Sequence, residues 1–536
     1  MSETSDKIQR GLAGISTLIS SGLVGIDRPD RTFRAVSALR KYGATPAAAL
    51  EVAAARHGGR LAVIDDGGVY TWSELSDRAG ALSRALADRG IKAGDAVAVM
   101  MRDQADFVVA VGAIARIGAD LVLLNTSFAA PQIQGVVERE GVVGLIHDLE
   151  FDEKVESSGV TGPTLLAWGA SEAPGRDSID SFVASASKND PPVPQAPGRT
   201  VILTSGTTGT PKGAKRGKTP SMLDIAGLLE KIPLRAGEVT VIAAPLFHSW
   251  GFAHLSFATA LGSTIVLRRR FDPTQVVEDV NRFDASALVV VPVMLKRILD
   301  LPASSKTVAP GTLKIIAASG SALSAELGKA AMDQFGPVLH NLYGSTEVAW
   351  ATIATPEDLL AAPGTAGRPP RGVNVVLVDE EGLEVPQGER GRIFVANDML
   401  FEGYTGGGGK EVLEGMMSTG DVGRFDDGGR LFVEGRDDDM IISGGENVFP
   451  EEVEDCINSH QGVKEAAVVG VPDPDFGQRL RAAVVLEPGA SVTAEELTEH
   501  VKLELARYKV PREILFLEEL PRTATGKILR RRISEL

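Results

Sequence analysis

Cysteine is almost absent: Cys456 is the only one in 536 residues. No intrachain disulfide framework and no cysteine-rich zinc site can therefore be built. Long apolar runs are missing as well. The longest uncharged run near the start, residues 11–26, is broken by serine and glycine. It falls short of the roughly 20 apolar residues that a membrane span needs. The leader MSETSDK carries acids where a secretory signal carries cations. Positive charge is in deficit: 55 Lys+Arg against 71 Asp+Glu give a formal charge of −16. Such a surface repels nucleic acid and anionic lipid on average, so an anionic ligand needs a local cationic site. These absences predict a cytoplasmic protein with no nucleic-acid partner.

What is present is ordinary globular material, 43% hydrophobic and 24% charged, which excludes disorder as the dominant state. The length suits about three or four domains. Short β-like runs alternate with helical stretches: LAVID (61–65), DAVAVMM (95–101), VILTS (201–205), EVTVIAAP (238–245) and ALVVVP (287–292). That alternation predicts an α/β architecture with mostly parallel sheets. KNDPPVPQAPG (188–198) reads as a linker between two lobes. From about residue 373, VNVVLVDEEG, GRIFVAND and GRLFVEG predict a small β-rich subdomain. Beyond GRDDDMIISGGENVFP (435–450) the pattern is helix, two strands, helix.

The expected organisation is an N-terminal extension (1–40), a large α/β N-terminal domain (41–435) and a small, mobile α+β C-terminal domain (436–536). Within the extension, Ile8, Leu12, Ile15, Ile19, Leu23 and Ile26 fall at helical spacing. They predict a helix docked on the body of the protein. The alternative is an interfacial helix, with peripheral membrane or subunit contact through residues 8–26 and a membrane-associated location. The sequence leaves the oligomeric state open.

The most informative segment is TSGTTGTPKG, Thr204 to Gly213, which follows an apolar strand-like run. Ligands favour the carboxyl ends of strands in α/β sheets. Thr204, Ser205, Thr207 and Thr208 supply hydroxyls, Gly206 and Gly209 let backbone N–H groups turn inward, and Lys212 adds a cation. Donors without bulk plus one neutralising charge suit a polyphosphate. A Walker A loop is not met, because Pro211 rather than glycine precedes Lys212.

This segment resembles the phosphate-binding signature of the adenylate-forming (AMP-binding) enzymes, which include acyl- and aryl-CoA synthetases. Further motifs follow in that family's order. Pro245-Leu246-Phe247-His248 is similar to the element gating the acyl pocket, with Trp250 and Gly251 as expected pocket wall. Ser319 and Gly320, in ASGSAL, resemble the turn lining the adenine and acyl sites. Tyr343-Gly344-Ser345-Thr346-Glu347 resembles YGxTE. By that resemblance Glu347 holds Mg²⁺, Thr346 touches the α-phosphate and Tyr343 lies on the adenine. Asp421, in STGD, would accept from the ribose hydroxyls. Arg436 would contact ribose or phosphate, and Asp438 matches the hinge. Lys527, in PRTATGK, would bridge carboxylate and α-phosphate while the acyl-phosphate bond forms. Gly444 and Gly445 would leave room for a pantetheine arm. Two departures stand out: Lys215, Arg216 and Lys218 follow the phosphate loop, and Ile442 occupies a position where some relatives carry lysine.

The resemblance implies ATP, Mg²⁺ and coenzyme A, and a small-molecule carboxylic acid as substrate. The expected activity is a fatty acyl-CoA synthetase with medium to long chains favoured. The alternatives are an aryl or other carboxylate–CoA ligase and an acyl-adenylate ligase that loads a carrier protein. Cys456 has no role in this chemistry and is read as structural.

Overall fold

The computed structural model describes residues 13–25, 27–204, 211–215, 221–436, 440–521 and 528–536. Two mostly parallel sheets form the large part of the molecule. The first has eight strands in the order Ala349–Ala354, Leu339–Ser345, Ile315–Ala318, Ala287–Val290, Val239–Ile242, Thr264–Val266, Leu61–Ile64, Val69–Thr71. Its six inner strands run parallel, and each edge strand returns antiparallel. The second has six strands, Thr164–Leu166, Val142–His147, Ala96–Met100, Asp120–Leu123, Thr200–Thr204 and Lys212–Ala214, parallel except at the last pair.

The inner strands read as unbroken apolar runs because helices cover both faces. Helices Trp72–Asp88 and Ala105–Ile117 share one apolar core with Val63 of the first sheet and Val97 and Val99 of the second. The first of these helices starts at Thr71, whose hydroxyl accepts from the Glu74 N–H while the Glu74 carboxylate accepts from the Thr71 N–H.

A five-stranded antiparallel sheet built from residues 374–436 forms a β-rich unit. The last part of the chain has a sheet of its own, whose strands Val463–Asp473 and Gly477–Leu486 pair along their length. Helices Pro450–Asn458 and Ala494–Glu504 cover one of its faces. Among the described residues no helix is long and apolar enough to cross a membrane.

Two expectations are corrected. The proline-rich stretch 188–198 does not separate lobes: it leads from helix Ile179–Ser185 to strand Thr200–Thr204, which pairs with Asp120–Leu123 inside the same sheet. Arg199 holds that return: its guanidinium donates twice to one Asp120 carboxylate oxygen and its backbone N–H donates to the other. The first helix, described over 13–20, docks through Gly14 and Leu18, whereas Ile15 and Ile19 face solvent. Ile8, Leu12 and Ile26 lie outside the described residues.

Candidate functional site

The carboxyl ends of the parallel strands of the first sheet open into one cleft of about 1340 Å³, roofed by the C-terminal unit. Beyond Val239–Ile242 the chain turns through Pro245 and caps helix Ser249–Ala260 with His248. A Cβ on Gly251 would stand 2.2 Å from the Pro245 carbonyl oxygen, so only glycine allows the helix to start against that turn. Trp250 is buried and donates its indole N–H to the Val290 carbonyl (3.1 Å), which fixes the ring at the cleft wall. Ser319 and Gly320 follow strand Ile315–Ala318 and line the same cleft.

Tyr343 stands at the end of strand Leu339–Ser345. Its hydroxyl donates to Asp421 (2.6 Å) and lies 3.1 Å from the Thr419 hydroxyl. The other Asp421 carboxylate oxygen accepts from Arg436 (2.8 Å). Burial pushes the Tyr343 hydroxyl well above its ordinary range, and the Asp421 charge adds to the shift. The phenol thus stays a donor across all ordinary pH. Three residues far apart in sequence therefore form one polar, half-buried trio with hydrogen-bonding capacity for an adenosine.

Glu347 is buried, and one carboxylate oxygen accepts from the Tyr404 hydroxyl (2.7 Å). The Lys212 ammonium lies 5.9 Å from the centre of the Tyr404 ring, so the strand Lys212–Ala214 and Glu347 meet through one tyrosine. Thr346 lines the cleft beside Glu347. Two positions on, Ala349 holds φ at +61°, a conformation that costs about 1–3 kcal/mol outside glycine and concentrates at functional sites. Among the described residues no group of three or more His, Cys, Asp or Glu side chains could hold a metal ion. Glu347 alone fits Mg²⁺ because that ion is commonly held by one or two carboxylates together with substrate phosphates.

The C-terminal unit reaches this cleft directly. Gly444 and Gly445 turn with φ of +61° and +90°. A Cβ on Gly445 would stand 3.7 Å from the Gly320 carbonyl oxygen, so backbone faces backbone across the cleft mouth. Glu446 then accepts from Asn125 (3.1 Å) and contacts His248 Nε2 (2.8 Å). Burial opposes charge on this histidine, but the Glu446 carboxylate outweighs it and raises the imidazole pKa. Burial likewise opposes ionisation of Glu446, and His248 outweighs it and lowers the carboxyl pKa. Asp103, fully buried beside them, accepts from the Leu246 N–H (2.9 Å), and desolvation pushes its pKa up to about 7. Farther along, Lys509 and Glu452 form a buried ion pair, and Gln132 of the large unit donates to Glu452 (3.4 Å). Ala506 packs into the core of the second sheet.

Of the residues singled out in the sequence, His248, Trp250, Ser319, Gly320, Tyr343, Thr346, Glu347, Asp421, Arg436, Gly444 and Gly445 line this cleft. Gly251 and Lys212 lie one step behind it. Ser205, Gly206, Thr207, Thr208, Gly209, Asp438 and Lys527 lie outside the described residues, and Thr204 is described only as the end of its strand. Asn125, Asp103 and Tyr404 carried no sequence signal. Glu446 follows the glycine pair directly, and that adjacency was the available clue.

The family model for AMP-binding enzymes matches residues 50–405, and that for the AMP-binding enzyme C-terminal domain matches 452–527. The chain belongs to the AMP-binding enzyme family. Feruloyl-CoA synthase from an Amycolatopsis species is 32% identical over 482 residues, covering 89% of this chain and 94% of the relative. A 2-succinylbenzoate–CoA ligase from Bacillus licheniformis is 32% identical over 485 residues, 88% and 96% of the two chains. A fatty acid–[acyl-carrier-protein] ligase from Streptomyces coeruleorubidus is 30% identical over 490 residues, 88% of this chain and 93% of the relative. Among AMP-binding enzymes of known structure, a doubly substituted o-succinylbenzoate CoA synthetase from Bacillus subtilis, bound to its product analogue, superposes with a TM-score of 0.80 at 28% identity. The superposition covers 91% of this chain and 98% of that one. The same enzyme in complex with its acyl-adenylate intermediate gives 0.65 over similar coverage. As an AMP-binding enzyme, this chain joins a group whose curated relatives above are acid–thiol ligases.

Proposed function

We propose that the chain is an ATP-dependent acid–CoA ligase whose substrate is a bulky cyclic carboxylic acid, aromatic acids foremost. The observation that carries the reading is the convergence of two sets of groups on one cleft. Tyr343, Asp421 and Arg436 offer an adenosine its hydrogen bonds. The Gly444–Gly445 turn, seated against Gly320 and pinned by Glu446 on His248, adds no side chain of its own at the mouth, between the Phe476 ring and Val291, and so leaves room for a slender thiol arm.

In the first half-reaction a substrate carboxylate oxygen bonds to the α-phosphorus, and the bond to pyrophosphate breaks. Two anions must approach, so Lys527 would lower the Coulomb barrier, with the hydroxyls of 204–208 and Lys212 cradling the phosphates. Glu347 would hold Mg²⁺ against those phosphates and thereby neutralise the departing pyrophosphate. In the second half the thiol sulfur bonds to the acyl carbon, AMP leaves with the electron pair, and the thiol proton passes to solvent. Lys527 must withdraw to admit the thiol, and rotation of the C-terminal unit about Asp438 would do this, a gating motion rather than added chemistry. The higher TM-score against the product-analogue complex than against the acyl-adenylate complex supports reading the present arrangement as the thiol-accepting one.

Coenzyme A is favoured over a carrier protein by a second cavity of about 170 Å³ beside Gly444. Arg479, Arg507 and Arg512 line it together with Glu446, and although Arg479 also pairs with Glu513, positive charge is in local excess on a chain of charge −16. Phosphates of a nucleotide-bearing thiol would use that charge. The cyclic acid is favoured by the feruloyl and succinylbenzoate relatives and by Trp250 and Trp350 at the cleft wall, whose flat faces suit a ring. A fatty acid remains the second reading, favoured by the carrier-protein ligase relative and by the size of the cleft. Pyrophosphate exchange against a panel of aryl, alicyclic and fatty acids, followed by thioester detection with CoA, tests both. Exchange confined to straight-chain acids would overturn the cyclic assignment.

A further inference from the structure

The N-terminal helices lie ahead of the segment that matches the family, and their outward faces have the wrong polarity for solvent. Helix Pro29–Tyr42 buries Ala38 and Tyr42 and half-buries Arg31 and Ala35. At 100° per residue these four occupy one side, and Phe33, Val36 and Arg40 fall on the opposite one. Phe33 is 76% exposed, Val36 and Leu39 are exposed beside it, and in the preceding helix Ile15 and Ile19, one turn apart, are exposed by 55% and 57%. A helix that turns its apolar residues outward is complete only when something covers them.

The charge around this face identifies the cover. Residues 28–41 contain Arg28, Arg31, Arg34, Arg40 and Lys41 against the single acid Asp30, a net charge of 5 − 1 = +4 in a chain of −16. Arg31 turns inward to the Arg56 carbonyl. Arg28 and Arg34 share Asp30 at 3.2 and 3.9 Å, Lys41 reaches Asp190 only at 4.0 Å, and Arg40 has no ion-pair partner among the described residues. A second copy docking through the same face would set cations against cations. An anionic bilayer satisfies both halves of the surface, the phenyl and alkyl groups entering the acyl boundary while the guanidinium groups meet headgroup phosphates.

We propose that this outward face, Phe33, Val36 and Arg40 with Leu39 and Arg34 at its two edges, docks the protein reversibly on an anionic lipid surface. The contact is the helix that follows the segment 8–26, which the alternative reading gave for membrane contact. Binding through one short apolar stripe and a few cations is weak and salt-sensitive, so the protein partitions between solution and membrane.

The test is flotation of the full chain with vesicles of equal parts phosphatidylcholine and phosphatidylglycerol, against vesicles of phosphatidylcholine alone. The expected result is co-flotation with the anionic vesicles only, reversed by high salt. The double variant Phe33→Ser/Val36→Ser should weaken binding by about tenfold or more, since two apolar side chains no longer leave water. Arg34→Glu/Arg40→Glu should abolish it. Both variants should retain wild-type pyrophosphate exchange in solution, because none of these residues lines the cleft. Wild-type protein that ignores anionic vesicles, binding that survives both double variants, equal binding to phosphatidylcholine, or a concentration-dependent dimer dispersed by Phe33→Ser/Val36→Ser would each overturn the proposal.

Discussion

Replacing Glu446 by Gln should separate the two half-reactions. Glu446 is the carboxylate through which the C-terminal unit holds His248 (2.8 Å) and Asn125 (3.1 Å). Gln keeps the shape and removes the charge. Hydrogen bonds to charged groups contribute about 1.5–3 kcal/mol against about 0.5–1.5 kcal/mol for neutral ones, so the docked arrangement should lose on the order of 1–2 kcal/mol. The middle of that range, about 1.4 kcal/mol, applies because both side chains are largely but not wholly removed from solvent. A loss of that size is about tenfold in the docked population, near the middle of ordinary coupling energies. Pyrophosphate exchange, which does not use this contact, should stay near wild type. Single-turnover transfer from preformed acyl-adenylate to CoA should fall about tenfold.

The pH profile adds a second signature. His248 has a raised pKa and Glu446 a lowered one. The pair's contribution is therefore fully present between the ordinary carboxyl and imidazole values, about pH 4.5 to about 6.5, and is lost as pH rises through the raised value of His248. Transfer by the wild type should decline relative to exchange as the solution is made alkaline, and the Gln variant should lack that decline. Equal loss in both half-reactions, or transfer at wild-type rate with an unchanged pH profile, would refute the reasoning.

Asp421→Asn should weaken ATP binding and adenylation together, because it disturbs both the Tyr343 and the Arg436 contacts. Isothermal titration with a non-hydrolysable ATP analogue reads the effect as a loss of about tenfold or more. Arg507→Glu/Arg512→Glu should raise KM for CoA at least about tenfold and leave acid-dependent exchange unchanged, as steady-state kinetics will report. Asp103 has a pKa raised from 3.8 to about 7, so the folded chain holds a proton there that the unfolded chain releases. Its contribution is lost as pH rises through that window. Asp103→Asn keeps the acceptor for Leu246 N–H, and its stability relative to wild type should rise by up to about 4 kcal/mol between acid and mildly alkaline solution, read by denaturant titration.

The site was legible where its residues are local in sequence. Tyr343 to Glu347 and Ser319-Gly320 sit at strand ends, where hydroxyls, glycines and a carboxylate mark a turn built for a ligand. Asn125 and Tyr404 were not legible, because their meaning comes from Glu446 and Glu347, which approach only in the folded chain. The helical spacing from Ile8 to Ile26 implied a helix, which is described over 13–20 with Leu23 in a bend beyond it, and periodicity reports that a stripe exists and not which body it faces. The proline-rich 188–198 illustrates the same limit. Its composition marks an irregular path, and only the pairing of Thr200–Thr204 with Asp120–Leu123 reveals that the path returns to its own sheet.

The central claim is that one cleft first makes an acyl-adenylate and then hands the acyl group to CoA. Acid-dependent exchange of labelled pyrophosphate into ATP, with CoA thioester measured in the same samples, tests it most directly. The account predicts that aryl or alicyclic acids support both signals, and that Lys527→Ala removes exchange while supplied acyl-adenylate still yields thioester. Exchange that no carboxylic acid stimulates, or thioester formed without any ATP–pyrophosphate exchange, would contradict it.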